Sequence, residues 1–437
     1  MDDKEKTKLF KEFLFKNKIM IVDRSSASRQ RLAKTLNEND AKTINIHMYS
    51  KYEEAVAALD TIKPALILSD YHLGDGSGFD LFRIYREKNT PESKAAVLIL
   101  ITSNISQSAV AKAAEEDVDS FIIKPYTIQS LTGGIMNAFM EKLHPTEYMI
   151  KIEEGKKVME SGDYDKAMVI FESAKTLSPK PSLACFYIGQ ANYFKKIKEQ
   201  AKSDFKEGLT FNNIHFKCQI GLYDIYMKDK LFDEAYEVAK NIAKYFPSNP
   251  DRLNSIVRLA VVTKNFQDMN FYYEIFKSLE MREKETIKYI CAGLYVSGKY
   301  YMLNKQEDEA INLFNKIAIS AGGETKFYRA MIESLIDNNL VAHAEKILLR
   351  FDSDEKLTED FAISDFLLKA VKEKPGLMVG HGIKLFYDGV TNLSFYKMLL
   401  TIMHLSGSME KSQEVLAKAT ETYPEHKDEF HKIINPK

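Results

Sequence analysis

The sequence predicts a chain in two parts, a doubly wound five-stranded parallel α/β sheet over residues 18–143 and an all-α solenoid of helical hairpins over 148–424. Three observations carry this. In the first part, five short apolar runs alternate with amphipathic stretches, the arrangement of a parallel sheet with crossover helices. The strand-like runs then stop. From about residue 148, glycine, alanine, phenylalanine and proline recur with a period of 34 residues, the length of a helix–turn–helix repeat unit.

Residues 1–17 read as an N-terminal extension. They open MDDKEKTKLFKEFLF, with acids at once and no sustained apolar run, so they are not expected to be a secretory signal. KIMIV (18–22) is the first strand, and SSASRQRLAKTLNEN after it is a capped amphipathic helix. INIHMY (44–49) and KYEEAVAALDTI form the second strand–helix pair. ALILS (65–69) and AVLILI (96–101) are apolar on both faces, as strands between two helical layers must be. SFIIKPYT supplies the fifth strand and IQSLTGGIMNAFMEKL the last of five helices.

Ligand sites of open parallel sheets lie beyond the carboxyl ends of the strands. The strand-end residues here are Asp23, Asp70, Thr102 and Lys124. Two carboxylates, a hydroxyl and an ammonium are therefore expected to converge. Asp70 ends a buried run, where a carboxylate is costly without a partner.

Composition narrows the function classes. A net charge of −1 over 437 residues gives no reason to expect nucleic acid or an acidic membrane as partner. No stretch approaches 18 uninterrupted apolar residues, so no membrane span is expected, and the simplest location is the cytoplasm. Cys185, Cys218 and Cys291 are widely spaced, which argues against a disulfide framework or a zinc site and for apolar fillers. The nine histidines form no HExxH pattern.

The order V-D … SDYHLGDGSG … LITS … IIKPYT resembles the receiver domain of two-component response regulators, a flavodoxin-like fold, over about 125 residues. The resemblance implies that Asp70 is a phosphoacceptor served by a histidine kinase or phosphotransfer protein. It implies that Lys124 pairs with the phosphoryl oxygens, that Thr102 hydrogen-bonds to them, and that Lys124-Pro125 is a cis peptide. Phe121 falls at the family's aromatic switch position. No catalysis is expected beyond the receiver's own phosphoryl transfer and hydrolysis, so the protein is not read as an enzyme.

One residue departs from the pattern. Receivers follow the first strand with two adjacent acids that help hold Mg2+, and here Asp23 is followed by Arg24. Replacing a carboxylate by a guanidinium removes an oxygen ligand and changes the local charge by two units. Asp23 and Asp70 then hold at best a weakened Mg2+ site. Alternatively, Arg24 turns inward onto Asp70, giving a pseudo-receiver in a constitutive scaffold. Gly74, where proline is common, and Ser120, where glycine is common, are smaller departures.

In the second part, Gly155, Ala167, Phe171, Ala174 and Pro179 match the spacing of the tetratricopeptide repeat, and Gly189, Ala201 and Phe205 recur 34 residues on. Leu222, Tyr226, Ala235 and Pro247 mark the unit from 216, and the unit from 250 keeps only Phe266. Seven extra residues shift the register before the unit from 291, with Gly298, Ala310 and Phe314. Weaker units start at 325 and 359, a clearer one at 393, and residues 425–437 form a polar-faced capping helix. The resemblance implies about eight hairpins with a concave, protein-binding groove. Met149, Ile152, Lys156 and Met159 fall on that face. Phe186, Gln190, Tyr193 and Phe194, with Ile220 and Asp224, follow, an adaptable apolar surface for a protein or peptide ligand or for a homodimer contact. Only His144 to Glu147 link the two parts, too short for a free tether.

Overall fold

A computed structural model of the protein describes residues 2–71, 73, 76–88, 90–102, 118–245, 250–279, 282–408 and 411–436. The chain divides into two compact units, residues 1–252 and 253–437.

The first unit opens with a helix, Asp3–Lys16, so the segment expected as an extension is structured. Asp2 caps it by accepting from the Glu5 N–H at 2.7 Å. Strands β1 (Ile19–Val22), β2 (Ile46–Tyr49), β3 (Leu66–Asp70), β4 (Val97–Thr102) and β5 (Ser120–Ile123) follow. They form a parallel sheet of order β2-β1-β3-β4-β5, the doubly wound topology expected. Ile19 pairs with Ile46 and Leu66, Asp70 with Ile101, and Thr102 with Ile123.

Alternation sorts the strand residues between two cores. Ile19, Ile21, Leu66, Leu68, Ile99 and Ile122 pack with the helices Ser26–Glu38 and Ile128–Leu143 and with Phe10 and Leu14 of the first helix. Phe13 stacks on Phe139 at 4.4 Å, which fixes the first helix to the last helix of this layer. Met20, Val22, Ile67, Leu98 and Leu100 face the helices Tyr52–Ile62 and Gly78–Glu87. The helix expected after β4, and Gly74, lie outside the described residues.

Three helix–turn–helix pairs complete this unit, Glu147–Glu160 with Tyr164–Lys175, Ser182–Phe194 with Lys198–Phe211, and Phe216–Lys228 with Phe232–Tyr245. The second helices start 34 residues apart. A Cβ on Gly155 would come within 2.4 Å of the Phe171 ring, and one on Gly189 within 2.6 Å of Phe205. The recurring glycines thus exist so that the next helix can seat its phenylalanine against bare backbone. Pro247 lies outside the described residues.

In the second unit the same architecture continues. Pro250–Val262, which begins at the boundary, is followed by a 3-10 turn at Phe266–Asp268 and the helix Met269–Ser278. Lys284–Leu303 pairs with Glu307–Ser320, and Thr325–Asp337 with Val341–Leu348. Glu359–Lys372 precedes Pro375–Tyr387, Leu393–Leu405 precedes Ser412–Thr422, and Lys427–Ile434 closes the array. The last helix buries Phe430 and Ile434 and exposes its other faces, as a solenoid end requires.

Backbone conformation marks the repeat independently. Left-handed residues sit in the interhelix turns at Gly162, Lys196, Lys230 and Lys264, each 34 residues after the last. The next is Lys305, seven residues late, and Asn339 then restores the period. The insertion is taken up in Lys284–Leu303, which has 20 residues where Ser182–Phe194 has 13. Two extra helical turns absorb seven residues without turning the packing face away.

Candidate functional site

Parallel pairing delivers the four strand-end residues to one edge. Asp70 and Thr102 are the last residues of β3 and β4, and Asp23 and Lys124 the first beyond β1 and β5. Lys124 Nζ donates to Asp23 Oδ2 at 2.8 Å and also to Asp70 Oδ2, so one ammonium holds both carboxylates. The Lys124 N–H donates to the Thr102 carbonyl at 2.7 Å, and Lys124-Pro125 is cis. The Thr102 side chain is buried.

Asp23 is only 3% exposed. Its Oδ1 accepts from the Ser25 N–H at 2.8 Å, and its Oδ2 accepts from the Ser28 hydroxyl at 2.5 Å as well as from Lys124. Burial is the largest influence on this carboxyl and pushes its pKa up, but the bonds from Lys124, Ser28 and Ser25 together outweigh it and hold the pKa below the usual value. Lys124 shows the mirror case. Burial pulls its pKa down most strongly, and the two carboxylates more than reverse this, leaving it raised.

Ser28 and Arg29 belong to the site, and the sequence reading did not single them out. Arg29 Nη1 donates to the carbonyls of Asp23 at 2.6 Å and Arg24 at 3.1 Å. The available signal was the pair Ser25 and Ser28 at a helix start, where the Ser25 hydroxyl accepts from the Ser28 N–H. Gly78 is a third support. A Cβ there would stand 2.4 Å from the Asp70 carbonyl oxygen and 2.9 Å from Ser69 Oγ. Only glycine lets the helix Gly78–Glu87 start this close behind the acid.

Arg24 is exposed, and no ion pair or hydrogen bond joins it to Asp70. The inward-turned arrangement is therefore not the one this structure adopts. Phe121 stands outside the ion-pair cluster. It is half-buried in β5 opposite Leu100 and packs in the core layer that Leu98 and Leu100 share.

Receiver domains typically bind Mg2+, and the residues here do not fit that ion. Three of the roughly four lone-pair positions of Asp23 are taken by the chain's own donors. Among the described residues no group of three or more His, Cys, Asp or Glu comes together.

In the helical repeats, Phe186, Gln190, Tyr193 and Phe194 line one cavity of about 240 Å³ with Phe216 and Ile220. The four residues expected in the groove are thus brought together. Phe194 is 47% exposed, and Lys228 Nζ donates to the Tyr193 hydroxyl. Ile152, expected on the same face, is instead fully buried with Phe171 and Ile188, because it points between the helices of its own layer. All three cysteines are buried and free, and burial pushes Cys185 up to about 11 and Cys291 up to about 12, so they behave as packing residues. No helix among the described residues is long and apolar enough to cross a membrane.

Comparison with known proteins agrees with this geometry. Residues 19–135 match the response regulator receiver domain and form such a domain. The sensory transduction protein LytT of Enterococcus faecalis is 31% identical over 123 residues, 28% of this chain and about half (48%) of that protein. A probable chemotaxis protein CheY of Rhizobium etli is 26% identical over 126 residues, 28% of this chain and 93% of its own length. A tetratricopeptide repeat protein of Parabacteroides merdae aligns with 59% of this chain and 98% of its own, at 12% identity and a TM-score of 0.29. The chain therefore carries a two-component receiver followed by a tetratricopeptide-like helical region.

Proposed function

We propose that this protein is a response regulator whose receiver accepts a phosphoryl group on Asp70 and whose helical repeats deliver the output as a protein–protein contact. The observation that carries the reading is the Lys124 ammonium, shared between Asp70 and Asp23 at the carboxyl edge of the sheet. In this reading an Asp70 oxygen attacks the phosphorus of a phosphohistidine, the P–N bond breaks, and the imidazole leaves with a proton. Lys124 then exchanges the Asp70 carboxylate for the new phosphoryl oxygens, and Thr102 at the end of β4 supplies a hydroxyl. Such a transfer is governed by positioning and charge neutralisation. The donor is a histidine kinase or phosphotransfer protein, and the receptor surface is the groove of Phe186, Gln190, Tyr193 and Phe194.

Only His144, Pro145 and Thr146 separate the helices Ile128–Leu143 and Glu147–Glu160. A linker this short transmits a change at Thr102 and Phe121 more readily than a flexible tether. The test is intact-mass analysis after incubation with a small acyl phosphate, with and without Mg2+, beside Asp70→Asn. An adduct that Asp70→Asn abolishes supports the reading. No adduct in the unaltered chain under either condition sinks it and leaves a constitutive scaffold.

A further inference from the structure

We infer that the carboxyl edge of the sheet neutralises its acid pair with the chain's own cations in place of a divalent metal, and that Arg24 is the residue that closes the site to Mg2+. The inference rests on the preceding reading only for which site is meant. Two carboxylates, Asp23 and Asp70, stand there against three cations. Lys124 bonds to both acids, Arg24 is the residue next to Asp23, and Arg29 lies against the carbonyls of both Asp23 and Arg24. The Ser25 N–H, at the start of the helix Ser26–Glu38, adds positive polarity against Asp23. A divalent ion approaching this edge meets a net positive charge. With an acid at position 24 the same edge would be net negative.

Ligand supply leads to the same conclusion by a separate route. Mg2+ demands near-octahedral oxygen coordination at about 2.0–2.1 Å and gives up water reluctantly. Asp23 is buried and already bonded to Ser25, Ser28 and Lys124, so recruiting it would cost those bonds. Position 24, the other carboxylate a metal would use, presents a guanidinium. The ligand class that suits such an edge is a phosphoryl-type dianion, met directly by Lys124 and guanidinium groups.

The test is calorimetric titration of the full chain with Mg2+, without any phosphoryl donor. It is run on the unaltered protein, Arg24→Asp, Arg24→Ala, and each combined with Asp70→Asn. The unaltered protein is expected to show no Asp70-dependent binding at millimolar Mg2+. Arg24→Asp is expected to gain Asp70-dependent binding, tighter by at least about tenfold from the two-unit change in charge. Arg24→Ala, which adds no ligand, is expected to gain less. Low-millimolar Mg2+ binding by the unaltered chain, lost on Asp70→Asn, would overturn the inference. So would an Arg24→Asp protein that is folded by circular dichroism and gains nothing. Because no donor is present, a failure of Asp70 to be phosphorylated leaves this result unaffected.

Discussion

Lys124 and Asp23 lie 101 positions apart in the chain, yet the ammonium of one sits 2.8 Å from the carboxylate of the other. Asp23→Asn is expected to destabilise the receiver by about 1–3 kcal/mol, below the full cost of breaking a buried pair because Lys124 keeps Asp70 and some solvent. Urea denaturation at neutral pH measures this.

The pH dependence follows from the directions of the two shifts. The Asp23 carboxyl is lowered, so its contribution is complete above the unfolded value of 3.8 and is lost as pH falls through the lower native value. Lys124 is raised, so its contribution is complete below 10.5 and is lost as pH rises through the higher native value. The stability difference between unaltered protein and Asp23→Asn is therefore expected to be flat through the neutral range and to shrink toward both extremes. A difference that peaked at one end would contradict the assignment.

Gly78→Ala places a methyl 2.4 Å from a main-chain oxygen of Asp70, which has no flexible side chain to move aside. Overpacking of this kind costs about 1–3 kcal/mol. Thermal denaturation is expected to show a lowered Tm, whereas Gly133→Ala, with open space around it, is expected to be neutral or better.

The first helix is expected to behave as part of the receiver core. Phe10 is 1% exposed against the inner face of the sheet, so Phe10→Ala is expected to cost about 3–5 kcal/mol. Phe15, 46% exposed on the same helix, is the control, with an expected change under about 1 kcal/mol. Equal effects at the two positions, by chemical denaturation, would refute this role.

Phe205 and Phe194 separate packing from binding in the repeats. Cβ atoms on Gly189 and on Gly221 would both come within 2.6 Å of the Phe205 ring, which therefore wedges between successive hairpins. Phe205→Ala is expected to cost about 3–5 kcal/mol of stability. Phe194→Ala with Tyr193→Ala is expected to leave the melting curve nearly unchanged and to remove the partner in a pulldown with the intact chain. Retained capture would show that the groove is not the output surface.

Much of this was legible in the sequence, for a physical reason. Buried parallel strands must be apolar on both faces, so Leu66–Leu68 and Val97–Ile101 announced themselves, and parallel pairing then forces Asp70, Thr102, Asp23 and Lys124 to one edge. The 34-residue period was visible because each hairpin meets its neighbour through the same small-residue contact, as at Gly155 and Gly189. Sequence periodicity reports local geometry, and these features are local. Only the tertiary structure decided what depends on convergence through space. It set the sharing of one ammonium between two acids, the return of Ser28 and Arg29 onto Asp23, the outward position of Arg24, and the docking of residues 3–16 on Phe139. Hydrogen-bond and ion-pair partners are chosen by which groups arrive together when loops close, and no spacing along the chain encodes that choice.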